Sequence, residues 1–73
     1  MESIFREMFK LSLDAERRGI APTQVTFVLN RRGMRRYFEA TEQLPEASRL
    51  LAHVGIVYDC RQEADVTTID YLN

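Results

Sequence analysis

The sequence predicts a small α+β domain in which helices cover an antiparallel sheet. Two observations predict it. Apolar residues recur at helical spacing in two segments that each run into Gly-Ile, at Gly19-Ile20 and Gly55-Ile56. Two other segments are rich in β-branched and aromatic residues and contain turn signals, as hairpins do. The expected order is helix, strand, strand, helix, strand, strand. A chain of 73 residues holds one such domain, residues 1–73.

Residues 3–18 read as an amphipathic helix. Ile4, Met8, Leu11 and Ala15 make its apolar stripe, and Phe9 and Leu13 widen it. Ser3 suits the N-cap, and Arg17 and Arg18 suit the carbonyl end of the dipole. Gly19 supplies the left-handed residue that stops the helix, and Pro22 forbids its continuation. Residues 24–40 then read as a hairpin. Val25, Thr26, Phe27, Val28 and Leu29 form the first strand. Asn30, Arg31, Arg32 and Gly33 fit a type I turn with a glycine bulge, and residues 34–40 return as the second strand.

Residues 45–54 read as a shorter helix. Pro45 takes its first position, Ala47, Leu50, Leu51 and Val54 face inward, and Glu46, Arg49 and His53 face out. Gly55 is expected to end it as Gly19 ends the first. Residues 56–60 and 66–72 read as a second hairpin across the polar loop of Arg61, Gln62, Glu63 and Ala64. The runner-up architecture is a winged helix. There, residues 45–54 are the recognition helix and residues 56–72 the wing.

Composition removes several function classes. No apolar run approaches the roughly 18–20 residues that span a bilayer, so no membrane partner is expected. Residues 1–10 include Glu2 and Glu7 and lack a signal-peptide apolar core, so a cytoplasmic location is expected. One cysteine and one histidine, Cys60 and His53, give no internal disulfide and no zinc site of their own. The three glycines are dispersed and form no phosphate loop. His53 sits on a polar helix face and Cys60 at a strand end, which does not make a nucleophile–base pair. No enzyme, cofactor or metal is expected.

The charge pattern is more telling than its total of −1. Residues 1–36 hold eight basic and four acidic side chains, a net +4, and residues 37–73 hold two basic and seven acidic, a net −5. The basic half culminates in Arg31, Arg32, Arg35 and Arg36, next to Tyr37 and Phe38. Clustered Arg beside aromatic rings is the composition of interface anchors. Clustered Arg also suits nucleic-acid phosphates, and otherwise it forms a solvated turn neutralised by the acidic half. Asp59, Glu63, Asp65 and Asp70 make a second, acidic surface that deters strand-to-strand association and could dock on a basic groove. The first hairpin carries apolar residues on both faces, which points to a partner surface on the second face or, alternatively, to the first helix covering one face and loops the rest.

These features predict a small non-enzymatic regulator or inhibitor that binds a larger protein complex through an Arg and aromatic hairpin. In length and style the chain resembles the host-takeover proteins of bacteriophages, which bind RNA polymerase, nucleases or defence complexes. The likeness involves no shared motif. The alternative is a nucleic-acid-binding module of winged-helix type that regulates transcription. A homodimer built head-to-tail or through the spare hairpin face is a third reading.

Overall fold

Helix α1 (Ile4–Arg17) begins and ends where its side-chain chemistry dictates. The Ser3 hydroxyl accepts from the Arg6 amide at 3.2 Å and so caps the first turn. At the other end Gly19 adopts φ +78°, a left-handed conformation that glycine takes without strain. The Gly19 amide then donates to the Glu16 carbonyl and the Ile20 amide to the Ala15 carbonyl. This pair of bonds is a Schellman closure, and it drives Ile20 into the core. The computed structural model describes residues 3–70.

A single 3-10 turn, Pro22–Gln24, leads into strand β1 (Val25–Leu29). All five β1 residues are buried. Such continuous burial marks a central strand. Helices α2 (Arg31–Gln43) and α3 (Pro45–Leu50) follow, then strands β2 (Gly55–Tyr58) and β3 (Val66–Asp70). The sheet order is β2-β1-β3, with β1 parallel to β2 and antiparallel to β3. Parallel neighbours need a long crossover, and α2 with α3 supplies it.

The α+β class is as the sequence predicts, but three elements differ. Residues 31–43 are helix, so the hairpin expected at residues 24–40 does not form. No residue from Met34 to Ala40 is β-branched, and Met, Arg, Glu and Ala all favour helix. Gly33 lies in the first turn of α2 with a negative φ, and there is no glycine bulge. The sheet is mixed rather than antiparallel, because β2 and β3 flank β1 and do not pair with each other as a hairpin. That pairing also removes the wing of the winged-helix alternative. Finally, α3 ends at Leu50, and Gly55 opens a strand opposite Thr26. A Cβ on Gly55 would lie 2.9 Å from the Thr26 hydroxyl, so close approach within the sheet explains this glycine. The expected inward stripe of residues 45–54 holds for Leu51 and Val54, while the Ala47 and Leu50 side chains lie outside the described residues.

The core lies between α1 and one face of the sheet. Ile4, Phe5, Met8 and Ala15 of α1 pack with Ile20, Val25, Phe27 and Leu51. Phe27, Ile4, Met8 and Leu29 are the largest fully buried side chains. Each contributes about 1.5–3 kcal/mol by burial, so stability rests on few residues. From α2, only Tyr37 and Ala40 pack against this cluster. Phe9 and Leu13 stay 41% and 53% exposed. They line a groove of about 290 Å³ with Ile20 and Pro22 rather than extending the core.

Residues 59–65 close over the end of β1 and lie against the start of α2. A Cβ on Gly33 would collide with the Asp65 carbonyl. On helix propensity alone, Gly33→Ala would stabilise by about 1 kcal/mol. Because of the collision we expect a net loss of about 1–3 kcal/mol, read from the urea midpoint. A raised midpoint would mean that the loop does not rest on α2.

Candidate binding surface

Asn30 fixes where α2 starts. Its backbone is extended, and its Oδ1 accepts from the Gly33 amide at 2.8 Å. The other end of the same amide faces the loop, where Nδ2 donates to the carbonyls of Gln62 at 3.3 Å and Glu63 at 3.1 Å. The Asn30 backbone N–H donates to the Asp65 carbonyl at 3.3 Å. Gln62 completes the junction by donating from Nε2 to the Val28 carbonyl at 2.6 Å and to the Ala64 carbonyl at 2.8 Å.

This geometry divides the arginine cluster. Helical spacing turns Gly33, Arg36, Tyr37 and Ala40 toward the protein and Arg31, Arg35, Phe38 and Glu42 toward solvent. Arg36 donates from Nη1 to Asp65 Oδ2 at 2.8 Å and from Nη2 to Glu7 Oε1 at 3.4 Å. Burial disfavours its charge, but hydrogen bonds and attraction from Asp65 and Glu7 prevail and raise its pKa further. Arg36 is therefore a clasp that joins α2 to α1 and to the loop. Tyr37 is likewise half-buried, with its ring edge-on to Phe5 at 5.8 Å. These two residues, expected among the contact residues, make internal contacts and are only partly exposed.

Arg31, Arg32, Arg35 and Phe38 remain on the surface. Arg32 lies 3.7 Å from Asp65 with a well-exposed side chain, a contact worth little. Among the described residues, Arg31 and Arg35 have no acidic partner. Phe38 is 58% exposed and touches the Tyr37 ring edge-on at 6.0 Å. The first turn of α2 holds no acidic residue, and Arg31 and Arg32 sit at its positive end. Each charge so placed is disfavoured by about 0.3–1 kcal/mol. Folding does not reward this arrangement, but an anionic partner would.

The expected acidic surface also divides. Asp65 is committed to Arg36 and Arg32. Asp59 accepts from the Arg61 amide at 2.9 Å, and this bond holds its carboxyl below the usual carboxylate range. Its contribution is present at neutral pH and lost as pH falls through that lowered range. Glu63 is exposed, and the Asp70 side chain lies outside the described residues. Cys60 and His53 are both exposed. Among the described residues, no group of three or more His, Cys, Asp or Glu is placed to hold a metal ion. Among the described residues, no helix is long and apolar enough to cross a membrane. Comparison with protein families, curated proteins and solved structures finds no match.

The helical stripe was legible in the 4, 3 and 4 spacing of Arg31, Arg35, Phe38 and Glu42, which the turn signal at Asn30 concealed. Alanine substitution separates the two kinds of arginine. Arg36→Ala leaves Asp65 and Glu7 without their shared cation and is expected to cost about 1–2 kcal/mol after allowance for partial exposure. Arg35→Ala should change stability by less than about 0.5 kcal/mol. Paired urea titrations measure both, and equal effects would mean that Arg36 is no clasp.

Proposed function

We propose that this protein is a small non-enzymatic regulator that docks on a larger protein complex through the exposed face of α2. The observation that carries this reading is the stripe of Arg31, Arg35 and Phe38, with Arg32 beside it, on one rigid helix. Arg forks and an exposed ring supply the contacts that dominate interface energy. Unpaired guanidiniums at the positive end of a helix favour an acidic surface and steer its approach.

A nucleic-acid partner is the second reading, supported by the same arginines. The stripe continues into Glu42, with Glu39 also exposed on α2. Acidic side chains in line with the arginines oppose a phosphate backbone and suit a protein surface of mixed charge. An exposed Phe38 fits a protein pocket without requiring unstacked bases.

The test captures partners from host lysate on the immobilised chain and identifies them by mass spectrometry. The variant Arg31→Ala, Arg32→Ala, Arg35→Ala, Phe38→Ala should keep the native circular dichroism spectrum and bind the captured protein at least about tenfold more weakly. Unchanged capture would contradict the proposal. Tight binding to duplex DNA with a steep salt dependence would transfer the assignment to nucleic acid.

A further inference from the structure

The groove beside α1 is lined by Phe9, Ser12 and Leu13 of the helix and by Ile20, Pro22 and Val25. Phe9 and Leu13 widen the apolar stripe of α1, yet neither is enclosed by the core. Ser12 is the polar residue within this apolar lining. Among the described residues, its Oγ is shielded from solvent and has no hydrogen-bond partner. A hydroxyl out of water and unpaired costs free energy. The groove therefore suits an occupant with apolar side chains and hydrogen-bonding groups close beside them. A segment of polypeptide has both.

The sheet delivers such a segment to this place. β3 runs antiparallel to β1 and packs against α1. Its last residue, Asp70, lies opposite Val25, which lines the groove. Tyr71, Leu72 and Asn73 follow in the sequence. Thr68 lies opposite Phe27, a core residue packed with α1, and shares its face of the sheet. Alternation returns a strand to the same face at every second residue, so a strand continued past Asp70 carries Leu72 on the helix face and Tyr71 on the other. Two residues of strand advance about 7 Å, which takes Leu72 past Val25 to the Pro22–Gln24 turn.

We propose that residues 71–73 continue β3 and close the groove as a strap, with Leu72 seated against Phe9, Leu13 and Ile20. The backbone of the strap supplies the polar partner that Ser12 lacks. A tethered segment meets the groove at high effective concentration and so outcompetes a free ligand of the same chemistry. The strap ties the end of β3 to α1 and covers the apolar side chains that the core leaves out. Any other occupant of the groove must first displace Leu72. The inference does not rest on what α2 binds.

Nuclear Overhauser spectroscopy of the full, unaltered chain tests it, so the first measurement needs no variant to fold. Cross-peaks are expected from the Leu72 methyls to the Phe9 ring and to the Leu13 and Ile20 methyls. Random-coil shifts at Leu72 without those cross-peaks would overturn the proposal. Cross-peaks from Leu72 to Val28 or Val57, on the other face of the sheet, would overturn it too. Urea midpoints give a second reading. Leu72→Ala and Leu13→Ala should together lower the midpoint by less than the sum of their separate losses, because they remove the same contact. Tyr71→Ala and Leu13→Ala should add. Additive losses for the Leu72 and Leu13 pair would mean that no strap lies on α1.

Discussion

The Asn30 side-chain amide works in two directions at once. Its oxygen caps α2, and its nitrogen holds the carbonyls of the loop between β2 and β3. Three things meet there, namely the end of the central strand, the start of the crossover and the connection between the two sheet edges. Without a donor at this point, the carbonyls of Gln62 and Glu63 lose a partner, and at the end of β1 the loop keeps only its bonds from Gln62 to the Val28 carbonyl and from the Asn30 and Asp59 amides. Gly33 permits the contact because a side chain there would push the loop away. The arrangement of the rest of α2 follows, including which arginines turn inward.

The opposed charges of the two halves acquire a structural meaning from this junction. The basic segment at the start of α2 and the acidic loop at residues 59–65 are neighbours in space, and Arg36 with Asp65 and Glu7 neutralises part of each. The molecule is less two-headed than its sequence. What remains outside that clasp is a smaller set of arginines with Phe38 on a single helix face. A second, uncharged surface lies on the far side of the sheet. The two surfaces differ in chemistry.

Much of the fold is legible in local chemistry. Ser3, Gly19 and Pro22 bound α1, Pro45 opens α3, and the strand composition of residues 25–29, 56–58 and 66–69 places the strands correctly. The pairing of those strands is not local. Val25 to Leu29 form a run buried on both sides, and alternation does not tell such a run's neighbours apart. Asn30 is the instructive failure. Asparagine begins both turns and helices, and a glycine at position 33 suits a turn. The absence of β-branched residues from 34 to 40 was the stronger signal. For the candidate surface, the residue types singled out Arg31 to Phe38, which the sequence placed on a hairpin, and only the helical periodicity of α2 separates Arg36 and Tyr37 from Arg31, Arg35 and Phe38.

The most direct measurement is native-state hydrogen exchange on Asn30→Asp. Aspartate caps a helix as well as asparagine does, but it cannot donate to the loop. If the two-way amide organises the fold, α2 amides keep most of their protection, amides of residues 59–65 exchange much faster, and global stability drops by about 1–3 kcal/mol. Protection of the loop equal to that of the unaltered chain would contradict the central role given to Asn30.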